Sequence, residues 1–193
     1  MDTNVAKVVF FGANDASLPH APNKQHIPLD EYKSNIEKII THTQVAAHDP
    51  RIILVSPPPI NEHLTWARDQ FVGYPSPARV ASTTKEYADG VCEVGARLGV
   101  PVVNLWEKFM EKADFQLDAW KLGDPLAGSL GVPPNDALVE LMYDGYEILF
   151  QELMKVVGER WPDQSPDKLP MVLPPWNDAE AWTAWEKQYA NAQ

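Results

Sequence analysis

The chain has 193 residues, 45% of them hydrophobic, which suits one folded domain with a sizeable core and excludes a disordered composition. A net charge of −11 argues against the phosphates of nucleic acid and against an anionic membrane surface, and leaves a small neutral molecule as the better-fitting partner. The single cysteine, Cys92, excludes an internal disulfide; no apolar run reaches the ~18 residues of a membrane helix, and Met1 to Val5 is no signal peptide, so no membrane insertion and a cytoplasmic location are expected.

Val5 to Phe11 is a short apolar run rich in Val and Phe and stopped by Gly12, which reads as a strand buried on both faces of a parallel sheet. A polar loop follows to Ile27. Pro28 then opens a helix, with Asp30 and Glu31 in its first turn, and Leu29, Tyr32, Ile36 and Ile40 form its apolar face. Residues 51–55 are a second buried strand, ended by Pro57, Pro58 and Pro59, and a loop is expected to run on to about Ser76.

Val80, Thr84, Tyr87, Val91, Val94 and Leu98 recur at spacings of three and four, so a long amphipathic helix is expected there, capped by Gly99. Residues 101–105 are the third strand and 106–112 a short helix. A loop rich in Gly and Pro covers 114–135, and helices are expected over 137–143 and 146–160. The domain is therefore expected to span 1–160. From Trp161 a Pro- and Trp-rich extension, 161–193, closes with a helix bearing Trp182, Trp185 and Tyr189, whose plainer role is to pack on the domain. The order of elements predicts an α/β fold, a three-layer α/β/α sandwich with a parallel sheet. Three strands are few for such a sheet, and the first looks central, so further strands are expected upstream. The edge left unpaired would leave room for a second chain.

In open α/β sheets ligands bind beyond the carboxyl ends of the strands. Gly12, Ala13, Asn14 and Asp15 occupy the first such loop. An Asn there can aim its N–H at a developing oxyanion, an effect worth ~2.7–4 kcal/mol in acyl transfer. On spacing alone, an ordinary Gly-Asn-Asp turn is the better reading of these residues. The five histidines, His20, His26, His42, His48 and His63, lack the spacing of a helical zinc pair, so neither a metal nor a cofactor is expected. His20, His26 and His63 are read as loop residues at the ligand edge. Ser17 and Ser56 are read as loop and strand-cap residues, and Cys92 as a packed helix residue.

Residues 10–16 (FFGANDA), 25–32 (QHIPLDEY), 52–62 (IILVSPPPINE), 85–88 (KEYA) and 99–106 (GVPVVNLW), in that order, resemble the SGNH, or GDSL-type, hydrolases, and more narrowly their isoamyl acetate-hydrolysing esterase branch. The resemblance covers residues 6–160, and the tail from Trp161 to Trp182 resembles fungal members. It implies a flavodoxin-like fold and hydrolysis of short acetate-type esters by a Ser-His-Asp triad. On that resemblance Asn14 is the oxyanion donor, Gly12 and Asp15 belong to the oxyanion loop, and Asp144 is the triad acid.

Two departures qualify what the resemblance implies. No Gly-Asp-Ser occurs in the 193 residues, so the nucleophilic Ser is absent from them. Where the family reads Asp-Gly-Leu-His, this chain reads Asp144-Gly145-Tyr146-Glu147, so the base His is absent too. Glu147 stands third after Asp144, but a carboxylate does not take and return a proton near neutral pH as imidazole does. The expectation is an ester hydrolase by descent, catalytically incomplete as this chain stands, from a gene model lacking an upstream and an internal segment. The alternative is a non-catalytic binding protein of the same fold.

Overall fold

Three apolar runs pair into a sheet because each carries β-branched or aromatic residues; Gly12 and Pro57 stop the first two, and Pro101 precedes the third. The computed structural model describes residues 6–113, 145–165, 168, 174 and 177–189. Strands β1 (Ala6–Phe10), β2 (Arg51–Val55) and β3 (Val102–Val103) are parallel and lie side by side in that order. The register pairs Ala6 with Arg51 through Phe10 with Val55, and Leu54 with Val102. β3 is shorter than the sequence suggests. Pro101 has no N–H to give, although its carbonyl accepts from Leu54 N at 3.0 Å, and Leu105 already begins a helix.

The described helices are α1 (Leu29–Thr41), α2 (Thr43–Ala46), α3 (Glu62–Phe71), α4 (Ala81–Leu98), α5 (Leu105–Ala113), α6 (Tyr146–Arg160) and α7 (Ala179–Tyr189). Helix α4 follows its predicted span, and Gly99 caps it in the left-handed conformation, φ +68°. Pro28 stands just before α1 rather than in its first turn. α3 is a correction: the stretch read as loop to Ser76 contains three turns of helix, and His63 lies within it rather than in a loop. Its sequence is mostly polar, and the run of prolines before it reads as an extended loop.

The parallel sheet and its helices make the fold α/β. Strand order rises with chain order, so both crossovers step the same way. Right-handed connections then place α1 and α4 on one face of the sheet. The core follows from this: Tyr32, Ile36 and Ile40 of α1 meet Tyr87, Val91 and Val94 of α4 over Leu54 of β2. The two tyrosine rings pack tilted, with centroids 5.0 Å apart. Gly95 lets α4 approach β3, since a Cβ there would sit 2.1 Å from Val102 Cγ2. A second cluster joins Ala81 and Ala88 of α4 to Trp106 of α5.

The same geometry corrects the reading of β1 as a strand buried on both faces. It pairs only with β2 among the described residues, and α1 and α4 pack on the face that carries Val9 and Leu54. Val8 is 49% exposed and Phe10 41%. Their partners in register, Ile53 and Val55, are buried. Among the described residues β1 is an apolar edge strand.

The chain divides into two compact units, Met1–Leu153 and Met154–Gln193. In the second, a 3-10 turn (Pro162–Gln164) follows Trp161, and Asp178 Oδ1 accepts from Ala181 N at 2.9 Å to start α7. Trp182 and Trp185 meet edge to face within α7, with centroids 5.8 Å apart. The predicted loop over 114–135, the helix over 137–143 and Asp144 lie outside the described residues. Among the described residues no helix is long and apolar enough to cross a membrane.

Candidate active site

Parallel strands present all their carboxyl ends at one edge, so the loops after β1, β2 and β3 converge there. The β1 loop turns at once. Gly12 has φ +117°, and a Cβ on it would lie 2.6 Å from the Tyr32 hydroxyl oxygen and 3.2 Å from Pro57 Cγ. Only glycine fits that conformation and that space. The turn closes with Ala16 N donating to Gly12 O and Ser17 N to Asn14 O, both at 3.0 Å.

The rest of the loop is pinned by bonds from elements around it. Tyr32 donates its hydroxyl to Phe11 O at 2.9 Å, and Tyr87 donates to Ile27 O. Leu18 N donates to Ala78 O at 2.8 Å, and Ile27 N to Asp15 O at 3.2 Å. Burial first, and the Asp15 charge second, raise the Tyr32 and Tyr87 hydroxyls above the ordinary phenol range. Both therefore stay protonated and able to donate across the neutral range.

Asn14 is exposed, and its Oδ1 accepts from Arg79 Nη2 at 2.7 Å. The structure thus puts Gly12, Asn14 and Asp15 together at the carboxyl-end edge of the strands. The sequence reading did not find Arg79, Tyr32 OH or Tyr87 OH as parts of this loop. The aromatic residues were visible only as helix stripe positions. A tyrosine rather than a phenylalanine at both was the available signal.

The candidate substitutes for a nucleophile are closed off. Ser17 is fully buried, and its Oγ accepts from Asn23 Nδ2 at 3.0 Å. Ser56 is also fully buried; its Oγ donates to Asn104 Oδ1 at 3.3 Å and accepts from Trp106 N at 3.2 Å, tying β2 to the start of α5. Burial, with Asp89 adding to it, pushes the Cys92 thiol up, so little thiolate forms at neutral pH. His26 Nδ1 lies 2.6 Å from Ser17 O. A carbonyl only accepts, so that nitrogen carries the proton and the ring holds the loop. Glu147 is exposed on α6 and accepts from Gln151 Nε2 at 3.0 Å. Among the described residues no cluster of His, Cys, Asp and Glu could hold a metal ion.

The described strands and helices form a parallel α/β domain with a polar loop pinned at the carboxyl ends of its strands. Residues 6–141 match the GDSL-like Lipase/Acylhydrolase family, and the chain belongs to that family. It is 32% identical to an Arabidopsis thaliana GDSL esterase/lipase over 88% of this chain and 65% of that protein. It is also 32% identical to the isoamyl acetate-hydrolyzing esterase 1 homolog of Mus musculus over 93% of this chain and 64% of that protein. The chain thus spans slightly less than two thirds of these relatives. A crystal structure of the lipase/acylhydrolase from Enterococcus faecalis is similar at TM-score 0.47 and 23% identity, over 79% of this chain and 60% of that one.

Proposed function

We propose that this chain carries the oxyanion side of an ester-hydrolase site for short, acetate-type esters, with Asn14 as the donor and Gly12 and Asp15 shaping its loop. Asp144 is the triad acid in this reading. The observation that carries it is the Asn14 carboxamide, held by its oxygen on a pinned loop with its nitrogen unused among the described residues. Preorganised donors of this kind stabilise charge that develops in acyl transfer. The relatives named as isoamyl acetate-hydrolyzing esterases supply the substrate class.

The 193 residues hold no Gly-Asp-Ser and no histidine after His63, and the nearby serines are buried. The chain by itself therefore gives no turnover of 4-nitrophenyl acetate above the rate in buffer, and a fluorophosphonate probe labels no serine. Labelling of a serine, or turnover that N14A leaves intact, overturns this reading. A search of the coding DNA upstream of Met1 and between Gly145 and Tyr146 for in-frame Gly-Asp-Ser and Leu-His segments separates an incomplete sequence from a binding protein that has lost its chemistry.

A further inference from the structure

The loop's least expected tie comes from Arg79, 65 residues away from Asn14 in the chain. Arg79 lies just before α4, in a turn fixed on either side. Ala78 N donates to Asp69 Oδ2 at 2.7 Å, Ala81 N donates to Glu62 Oε1 at 2.5 Å, and both carboxylate side chains belong to α3. From this mount one nitrogen, Nη2, bridges two carboxamide oxygens: Asn14 Oδ1 at 2.7 Å and Gln25 Oε1 at 2.9 Å. Gln25 is held in turn, since Asn23 Nδ2 donates to its Oε1 at 3.1 Å and also to Ser17 Oγ at 3.0 Å.

A guanidinium only donates, so it sets which end of each carboxamide faces it. Asn14 must present oxygen to Arg79 and turn Nδ2 away. Arg79 forms no ion pair among the described residues, and its Nε is buried without a hydrogen-bond partner. Half-burying an arginine with no carboxylate in ion-pair contact is unfavourable, and burial lowers its pKa, an effect that the Asp69 charge opposes. Its hydrogen bonds go to neutral amides, while the Asp69 carboxylate supports its charge from outside ion-pair distance. A cation at the oxygen end draws electron density along the amide and makes the N–H end a stronger donor.

We propose that Arg79 is a positioning residue, which fixes the Asn14 carboxamide with Nδ2 outward and polarises it for an incoming oxyanion while itself touching no substrate. This rests on the reading of Asn14 as the oxyanion donor. The two claims separate by experiment on the 193-residue chain labelled with ¹⁵N. The Asn14 side-chain amide signals are identified as the pair missing in N14A. In R79M, which keeps the side-chain stem and removes the fork, those signals move to the position of a free asparagine, while the backbone spectrum beyond the loop stays in place. R79K, which keeps the charge and one bond, retains part of the shift. Unchanged Asn14 amide signals in R79M overturn the proposal, and should R79M not fold, unchanged signals in R79K do so.

Sodium acetate then serves as a carboxylate probe of the loop. Acetate shifts the Asn14 side-chain signals of the unaltered chain, and about tenfold more acetate is needed in R79M, where the Asn14 amide is neither held nor polarised. Acetate shifts in the Gly12 and Ala13 backbone amides that persist undiminished in N14A overturn the donor reading alone, because the Arg79 effect on the amide is read without acetate. Equal acetate dependence in R79M and the unaltered chain overturns the polarising role.

Discussion

At the residue scale, the loop is held by groups whose chemistry is plain once their neighbours are known. Tyr32 is 2% exposed, packs its ring in the core and spends its hydroxyl on Phe11 O. Tyr32→Phe keeps the ring and loses about 1 kcal/mol of stability, the net worth of one hydrogen bond. The pH dependence has a definite sign. Burial raises this hydroxyl's pKa in the folded chain, so folding favours the neutral phenol. The contribution is complete below the unfolded pKa of ~10 and is lost as pH rises above it, because the unfolded chain then releases a proton the folded chain keeps. Urea unfolding at pH 8 and at pH 11 checks this: the advantage of the unaltered chain over Y32F shrinks at the higher pH. An advantage that grows would show the hydroxyl ionised in the folded state. The turn at Gly12 and the loop that carries Asn14 were legible in the sequence, because an apolar run stops there. Arg79 was not, because a contact between loops 65 residues apart leaves no period in the sequence.

At the element scale, periodicity was informative where one face is buried and misleading where the partner is missing. The spacing of three and four in α4 yields its span, its buried face and its cap. It does not reveal that Gly95 is where the helix touches the sheet, since any small residue fits the pattern. The structure makes that position specific: Ala at 95 would place its methyl 2.1 Å from Val102 Cγ2 and 3.0 Å from the Val100 carbonyl oxygen. One obstacle is backbone, so the strain is not relieved by a rotamer change alone. Gly95→Ala is expected to destabilise by ~1–3 kcal/mol, the usual cost of overpacking, against a gain of about 1 kcal/mol from helix propensity. A thermal melt reads the net effect as a lower midpoint, and a raised midpoint would place α4 farther from β3. β1 shows the opposite case. Its run, apolar but for Lys7, is the mark of a doubly buried strand, but burial depends on neighbours the strand does not encode. α3 was missed for the complementary reason. Its polar residues have structural tasks, Glu62 and Asp69 accepting from the backbone ahead of α4, that no apolar stripe announces.

At the scale of the whole molecule, two features oppose each other. β1 offers an apolar edge, with Val8, Phe10 and Phe11 exposed, and such edges pair with other chains. The net charge of −11 repels a second copy. Repulsion between exposed charges is screened over ~10 Å at 0.1 M salt and ~3 Å at 1 M, whereas apolar burial is not weakened by salt in that way. Association of this chain through β1 should therefore rise with ionic strength and with approach to its pI of about 4.8. Sedimentation velocity of the 193-residue chain in 0.05 M and 0.5 M sodium chloride reads this directly as a larger weight-average coefficient at the higher salt. Val8→Lys adds a charge on the exposed face of the edge, at a position already 49% accessible, so it should leave the thermal midpoint nearly unchanged and abolish the salt-dependent increase. An increase that persists in V8K would move the contact away from β1. Dissociation by salt would show instead that charge pairing, not the apolar edge, joins the chains.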